Sequence, residues 1–219
     1  MTQSVTTERA PAEASFSGPR GTGGEKPGAG RRASPWAVAT VIALLCGAIA
    51  LVVFSLLRPE PAGFVPTAEA VPYGAADGSL RLTIDASDPT AWQYVSLARG
   101  EHVSDGAGWD LAFRRFNVIA NGGAGFPGRG AIADVGPTVF EEVRVPSEAS
   151  FRATTAGRDS TNAAIARWYR YGFTSHLLTP LDRSYVVRGA GGAYYAVRIL
   201  GYYCPGARPG CVTIRYRPL

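Results

Sequence analysis

GWDLAFRRFNVIANGG, residues 108–123, sets two arginines in the middle of a run that begins as a strand. Trp109, Leu111 and Phe113 alternate with Asp110 and Arg114, which is the period of a half-buried strand. Past Arg115 the apolar set resumes as Phe116, Val118 and Ala120, out of phase by one. A side-chain period of two cannot absorb that slip without a bulge, a twist or a change of face. The reading is therefore a strand with a bulge near Arg114–Arg115. Asn121-Gly122-Gly123 tolerate positive φ and predict a hairpin turn, opening a Gly-rich loop through Gly130. No GK[ST] follows and no helix clearly starts there, so the loop reads as a surface loop rather than a phosphate cradle.

Strand patterns continue on both sides. SLRLTID (79–85) puts Leu80, Leu82 and Ile84 on one face, and WQYVSLARG (92–100) alternates in the same way. Asp159 to Ala166 predicts one short helix with an Asp or Ser cap, followed by a strand over Trp168–Phe173. SYVVRGAGGAYYAVRILGYY (184–203) is a hairpin by composition, its two β-branched and aromatic runs flanking Gly-Ala-Gly-Gly. CVTIRYRPL (211–219) alternates again. Residues 79–219 thus predict one mostly β domain, large enough for its own core.

The first part of the chain is of another kind. Residues 1–35 are rich in Gly, Pro, Ser, Thr and Ala, hold Phe16 as their one large apolar side chain, and are expected to be disordered. Between Arg32 and Arg58 there is no charge, and residues 36–57 are long enough to cross a hydrocarbon layer of about 30 Å. The apolar run and its basic leader are both too long for a cleaved signal, and Leu45 before Cys46 argues against a lipoprotein signal. Arg20, Lys26, Arg31 and Arg32 precede the span, while Arg58 alone follows closely. The positive-inside rule then places the tail in the cytoplasm and the β domain outside, on a linker of residues 58–78. Ala39, Ala43 and Gly47 recur at the spacing of a helix-dimer face, which would make the anchor a homodimer, although small residues are common in such spans.

The net charge of +5 does not indicate a nucleic-acid partner. From Glu60 onward, sixteen arginines intersperse with fourteen carboxylates, and no basic run with interleaved aromatics occurs. Cys204 and Cys211 flank a Pro- and Gly-rich turn, and an extracytoplasmic setting permits a disulfide between them. One cysteine pair without a nearby histidine or CxxC spacing is weak for zinc.

Taken in order, these segments resemble a known family. WDLAFRRFNVIANGG resembles the WD…NGG signature of the HmuY-like proteins, haem-binding proteins of the cell envelope. YVSLARGE (94–101), WYRYGFTSHLLTP (168–180), SYVVRGAGGAYYAVRILGYY and VTIRYRPL (212–219) resemble other segments of that family in the same order. The resemblance spans roughly 92–217 and implies an all-β, HmuY-like fold and haem capture outside the cell. It also implies axial His or Met ligands from loops at one end of the fold. The chain is poor in such groups: Met1 lies in the tail, which leaves His102 and His176 as the available pair. Each also reads as an ordinary solvated or hydrogen-bonded histidine. Arg114, Arg115 or Arg129 could meet propionates, and a tyrosine could replace an axial ligand, though no particular one stands out.

Three functions compete. The first is a membrane-anchored protein that binds haem for capture or storage and does no chemistry. The second is a non-catalytic envelope interaction domain of the same fold without haem. The third is an extracytoplasmic enzyme, disfavoured because GxSxG, HExxH and paired-carboxylate motifs are missing from the sequence.

Overall fold

The computed structural model describes residues 34–57, 60–74, 77–104, 106, 108–157 and 159–219. The expected disordered tail lies almost wholly outside these residues. The apolar span is helix α1 (Pro35–Leu56), 22 residues without a charge and without a buried side chain. It is long and apolar enough to cross a bilayer. Thr40, its one interior hydroxyl before Ser55, donates to the Trp36 carbonyl at 2.9 Å and so hides its polarity within the helix.

Among the described residues the β domain has twelve strands: β1 (Val71–Pro72), β2 (Leu80–Asp85), β3 (Gln93–Ser96), β4 (Glu101–Val103), β5 (Leu111–Arg114), β6 (Asn117–Ala120), β7 (Ala131–Asp134), β8 (Tyr169–Tyr171), β9 (Leu178–Pro180), β10 (Tyr185–Arg188), β11 (Tyr194–Cys204) and β12 (Arg208–Pro218). They form a six-stranded sheet in the order β1-β2-β12-β11-β10-β7, a four-stranded sheet β4-β3-β5-β6, and the hairpin β8-β9. Every strand pair is antiparallel. One apolar cluster joins the two larger sheets: Leu82, Ile84, Val197, Ile199, Val212 and Ile214 meet Val95, Leu111, Phe113, Val118 and Ala120. The alternation seen in the sequence is the inner face of this sandwich.

The slip at Arg114–Arg115 is a hairpin turn, not a bulge. Arg114 pairs with Asn117, and Arg115 occupies the left-handed region at φ 55°. The chain reverses over Arg115–Phe116, so Phe113 and Val118 sit opposite each other on one face. The apparent change of phase is that reversal. Asn121-Gly122-Gly123, expected as the hairpin turn, instead closes a loop: Gly122 bridges Arg129, and Gly130 N–H donates to Asn121 O at 2.6 Å. A Cβ on Gly122 would lie 2.1 Å from the Gly130 carbonyl oxygen, so this approach requires glycine.

Two further expectations change. Residues 159–166 form turns rather than a helix; Ile165 and Ala166 N–H both bond the Asn162 carbonyl. The Asn162 side chain bonds the Ala164 N–H and the Arg152 carbonyl, drawing the segment into the fold instead of into a helix. The expected linker is in part structured. Phe64 N–H bonds Tyr203 O, Thr67 N–H bonds Thr83 O, and Ala70 N–H bonds Gly100 O, before β1 pairs with β2. This strap covers the free edge of β2 and reaches β4, where Glu69 bridges Glu101, so two sheet edges are closed at once. Cys204 and Cys211 form a disulfide with Cα atoms 4.9 Å apart, between the end of β11 and β12.

Candidate functional site

The WD…NGG stretch is a joint. Asp110 is buried, and its carboxylate accepts the Leu97 N–H at 2.8 Å and the Ala190 N–H at 2.9 Å. It thereby ties β5 to the β3–β4 turn and to the β10–β11 turn. Asn121 is equally buried: its amide donates to Trp109 O, its oxygen accepts the Gly128 N–H, and its own N–H bonds Asp110 O. Gly189 is small for the same reason, since a Cβ there would sit 2.6 Å from an Asp110 carboxylate oxygen. Beside this joint, Tyr94, Trp109 and Phe126 line a groove of about 500 Å³ with glycine walls. Among the described residues, no histidine, cysteine, methionine or carboxylate lines it.

His102 faces away from that groove. It is paired with Val95, which is paired with Leu111, a core row; the groove row is Val103, Tyr94, Ala112 and Ile119. The half-buried imidazole hydrogen-bonds to the backbone of Thr67 and Thr83, at the seam sealed by the strap. Burial holds its pKa below the ordinary value, against the opposing pull of those two bonds. Arg114 lies over the Trp92 ring at 4.6 Å and reaches Asp159 at 3.5 Å. Arg115 donates to Ser87 O at 3.0 Å and Pro209 O at 3.5 Å, pinning the β5–β6 turn. Arg129 donates to Gly191 O at 2.5 Å. Each of these guanidinium groups therefore already has a partner inside the fold.

His176 has a different setting. It sits in the β8–β9 turn at φ 55°, with its N–H bonded to Gly172 O. Its Nδ1 lies 2.5 Å from Tyr171 Oη. Phe173 also meets the Tyr171 ring, edge on, at 5.7 Å between centroids. Phe173 is 86 % exposed and Tyr171 45 % exposed, so an aromatic pair and an imidazole stand on the surface together. The next residues, Leu177 and Leu178, line an apolar cavity of about 310 Å³ with Pro180, Tyr202 and Tyr203. Leu178 N–H bonds Tyr203 Oη, which fixes the hairpin to β11. Sequence reasoning found His176 but missed Tyr171 and Phe173; the available signal was three ring side chains within six residues around a glycine.

Among the described residues, one cluster brings three candidate ligand groups close enough for an ion: Asp85, Cys204 and Cys211. Its two sulfurs are bonded to each other, so it is a disulfide beside a carboxylate. Of the donor sets, the phenol–imidazole pair is the one that stands open on the surface. It joins two iron-ligating side-chain types to exposed rings and an adjoining apolar cavity.

The fold has solved relatives. A HmuY-like haem-binding candidate from Bacteroides vulgatus matches with a TM-score of 0.56 at 18 % identity, over 68 % of this chain and 97 % of its own. A candidate lipoprotein from Bacteroides fragilis matches with a TM-score of 0.54 at 18 % identity, over 68 % and 95 %. The apo HmuY analogue of Tannerella forsythia matches with a TM-score of 0.53 at 14 % identity, over 63 % and 94 %. No curated protein matches the chain. At these identities the likeness shows the fold alone. The family model of the HmuY protein matches residues 88–216, from the link before β3 to Tyr216 near the end of β12. That match spans more than half of the chain and includes the Asp110–Asn121 joint, so the chain belongs to the HmuY family.

Proposed function

We propose that this protein is a haem-binding member of its non-catalytic family, tethered by α1 with its β domain outside the cytoplasm. The observation that carries the reading is the β8–β9 hairpin, where Tyr171 and His176 share a hydrogen bond on an exposed aromatic surface beside an apolar cavity. Haem would supply an iron with open axial positions and a broad apolar plane. The Tyr171–His176 pair would face the iron, and Leu177, Leu178 and Tyr203 would offer apolar surface to the ring. The Bacteroides vulgatus relative, named as a candidate haem binder, supports the same ligand class. The cations before α1 and the Cys204–Cys211 disulfide support the exterior placement.

The test is a hemin titration of the full chain in detergent micelles. A sharp, saturable Soret band at one equivalent is expected. A spectrum that stays that of free hemin in micelles rejects the reading. A second reading, an envelope interaction domain without haem, is favoured by one observation. The Tyr94–Trp109–Phe126 groove is larger than the cavity beside Leu177 and Leu178 and, among the described residues, has no iron-ligating side chain other than a tyrosine. His102, turned into the seam, also leaves His176 without an evident histidine partner.

A further inference from the structure

We propose that the tip of the β8–β9 hairpin, led by Phe173, rests in the lipid interface of the bilayer that α1 spans. This rests on the tether of the reading above and not on its ligand. Phe173 is the most exposed large apolar side chain among the described residues. It does not stand singly. It meets Tyr171; Tyr171 and Tyr169 share one face of β8; and Tyr169 meets the exposed Phe116 at 5.7 Å between centroids. The rings form a stripe from the hairpin tip to the β5–β6 turn, unlike the scattered apolar residues normal on a protein surface.

The length of the tether says what covers this stripe. The 22 residues of α1 rise about 33 Å, the hydrocarbon thickness, so Leu56 ends the span near its edge. Glu60, Pro61 and Ala62 already line the apolar cavity with Leu177, Leu178 and Pro180. An extended chain advances about 3.5 Å per residue, so the step from Leu56 to Glu60 keeps that contact within about 14 Å of the end of α1. Headgroups reach about 5–7 Å beyond the hydrocarbon. Phe64 N–H is then fixed to Tyr203 O, and Tyr203 Oη accepts the Leu178 N–H, so the hairpin cannot leave the tether without breaking those bonds. Charge agrees with the placement. Residues 160–181 contain no carboxylate, and Arg167 and Arg170 are exposed with no hydrogen-bond or ion-pair partner among the described residues. Lipid phosphates take such cations at a membrane surface, and aromatic rings settle at the same depth. The other end of the sandwich differs. There Glu148 pairs with Arg188 opposite Tyr194, about 30 Å along β11 from Tyr203.

The experiment uses the full chain in phosphatidylcholine vesicles, with and without phosphatidylglycerol. A nitroxide is placed at Thr174→Cys or Ala149→Cys, each with Cys46→Ala, and separately on the native Cys46, which is free. Electron paramagnetic resonance reads its access to oxygen, which collects among acyl chains, and to a nickel chelate, which stays in water. The oxygen-to-nickel ratio at position 174 should exceed that at position 149 several-fold. Phe173→Ser, with an unchanged thermal midpoint, should bring it down to the value at 149. Arg167→Gln together with Arg170→Gln should lower it chiefly in the anionic vesicles. Equal ratios at 174 and 149, with the Cys46 label in acyl surroundings, would overturn the proposal and leave the tether standing. A Cys46 label open to nickel would overturn both. A high ratio at 174 that Phe173→Ser leaves unchanged would also overturn the proposal. So would dipolar broadening at 174 with little access to either agent, which would give the tip to a second copy.

Discussion

Removing the Asp110 carboxylate tests whether the family's signature stretch is a structural joint. In Asp110→Ala the Leu97 and Ala190 N–H groups, now held at 2.8 and 2.9 Å, lose their acceptor at a position only 6 % exposed. A buried donor left without a partner costs about 1–3 kcal/mol, so two cost about 4 kcal/mol. A domain of this kind is stable by about 5–15 kcal/mol, so the loss takes a large share of the total. The thermal midpoint should fall by about 12 °C, at about 3 °C per kcal/mol for a domain of this size. Asp110→Asn should lose about half as much, since its carbonyl keeps one acceptor while its NH2 faces the second N–H. The assay is urea unfolding of residues 60–219 by tryptophan fluorescence, with amide exchange at Leu97 and Ala190. A loss under about 1 kcal/mol for Asp110→Ala, with both amides still protected, would refute the argument.

Two further predictions concern the disulfide and the seam. Reducing Cys204–Cys211, or replacing both with serine, opens a loop with a sequence separation of 7 and should cost about 2.5 kcal/mol on the chain-entropy model; an unchanged urea midpoint in reductant would contradict this. For His102 the folded state resists protonation, so the unfolded chain binds more protons as pH falls through about 6.5. Stability should be fully present above that pH and decline below it, and His102→Gln should flatten that part of the profile in pH-dependent unfolding; an identical slope in the variant would remove the histidine from the account.

Much of the architecture is written locally. A stretch without charge marks α1, and alternation at Leu80–Ile84 and along residues 211–219 marks strands, because both follow from the geometry of one element. The features that escaped depend on distant atoms. Arg115 turns a hairpin without Gly, Asn or Pro because Ala86 O accepts its N–H and Ser87 and Pro209 carbonyls hold its guanidinium. Asn121 looked like a turn former, yet its amide serves Trp109 and Gly128 inside the fold. Residues 60–70 looked like a spacer because their hydrogen bonds go to Tyr203, Thr83 and Gly100, far along the chain. At the Tyr171–His176 pair the cluster of rings around Gly172 was legible but its pairing was not. With strands of three residues each, nothing local fixes which ring the turn brings beside which.

The strap also gives the molecule a mechanical grain. Any tension transmitted along the backbone from the direction of α1 meets its first described backbone hydrogen bond to the sandwich where Phe64 N–H holds Tyr203 O. Tyr203 is the neighbour of Cys204, whose sulfur is covalently locked to β12. The load thus enters the sandwich at its one cross-linked corner, where pulling must work against two strands bolted together rather than peel a single one away.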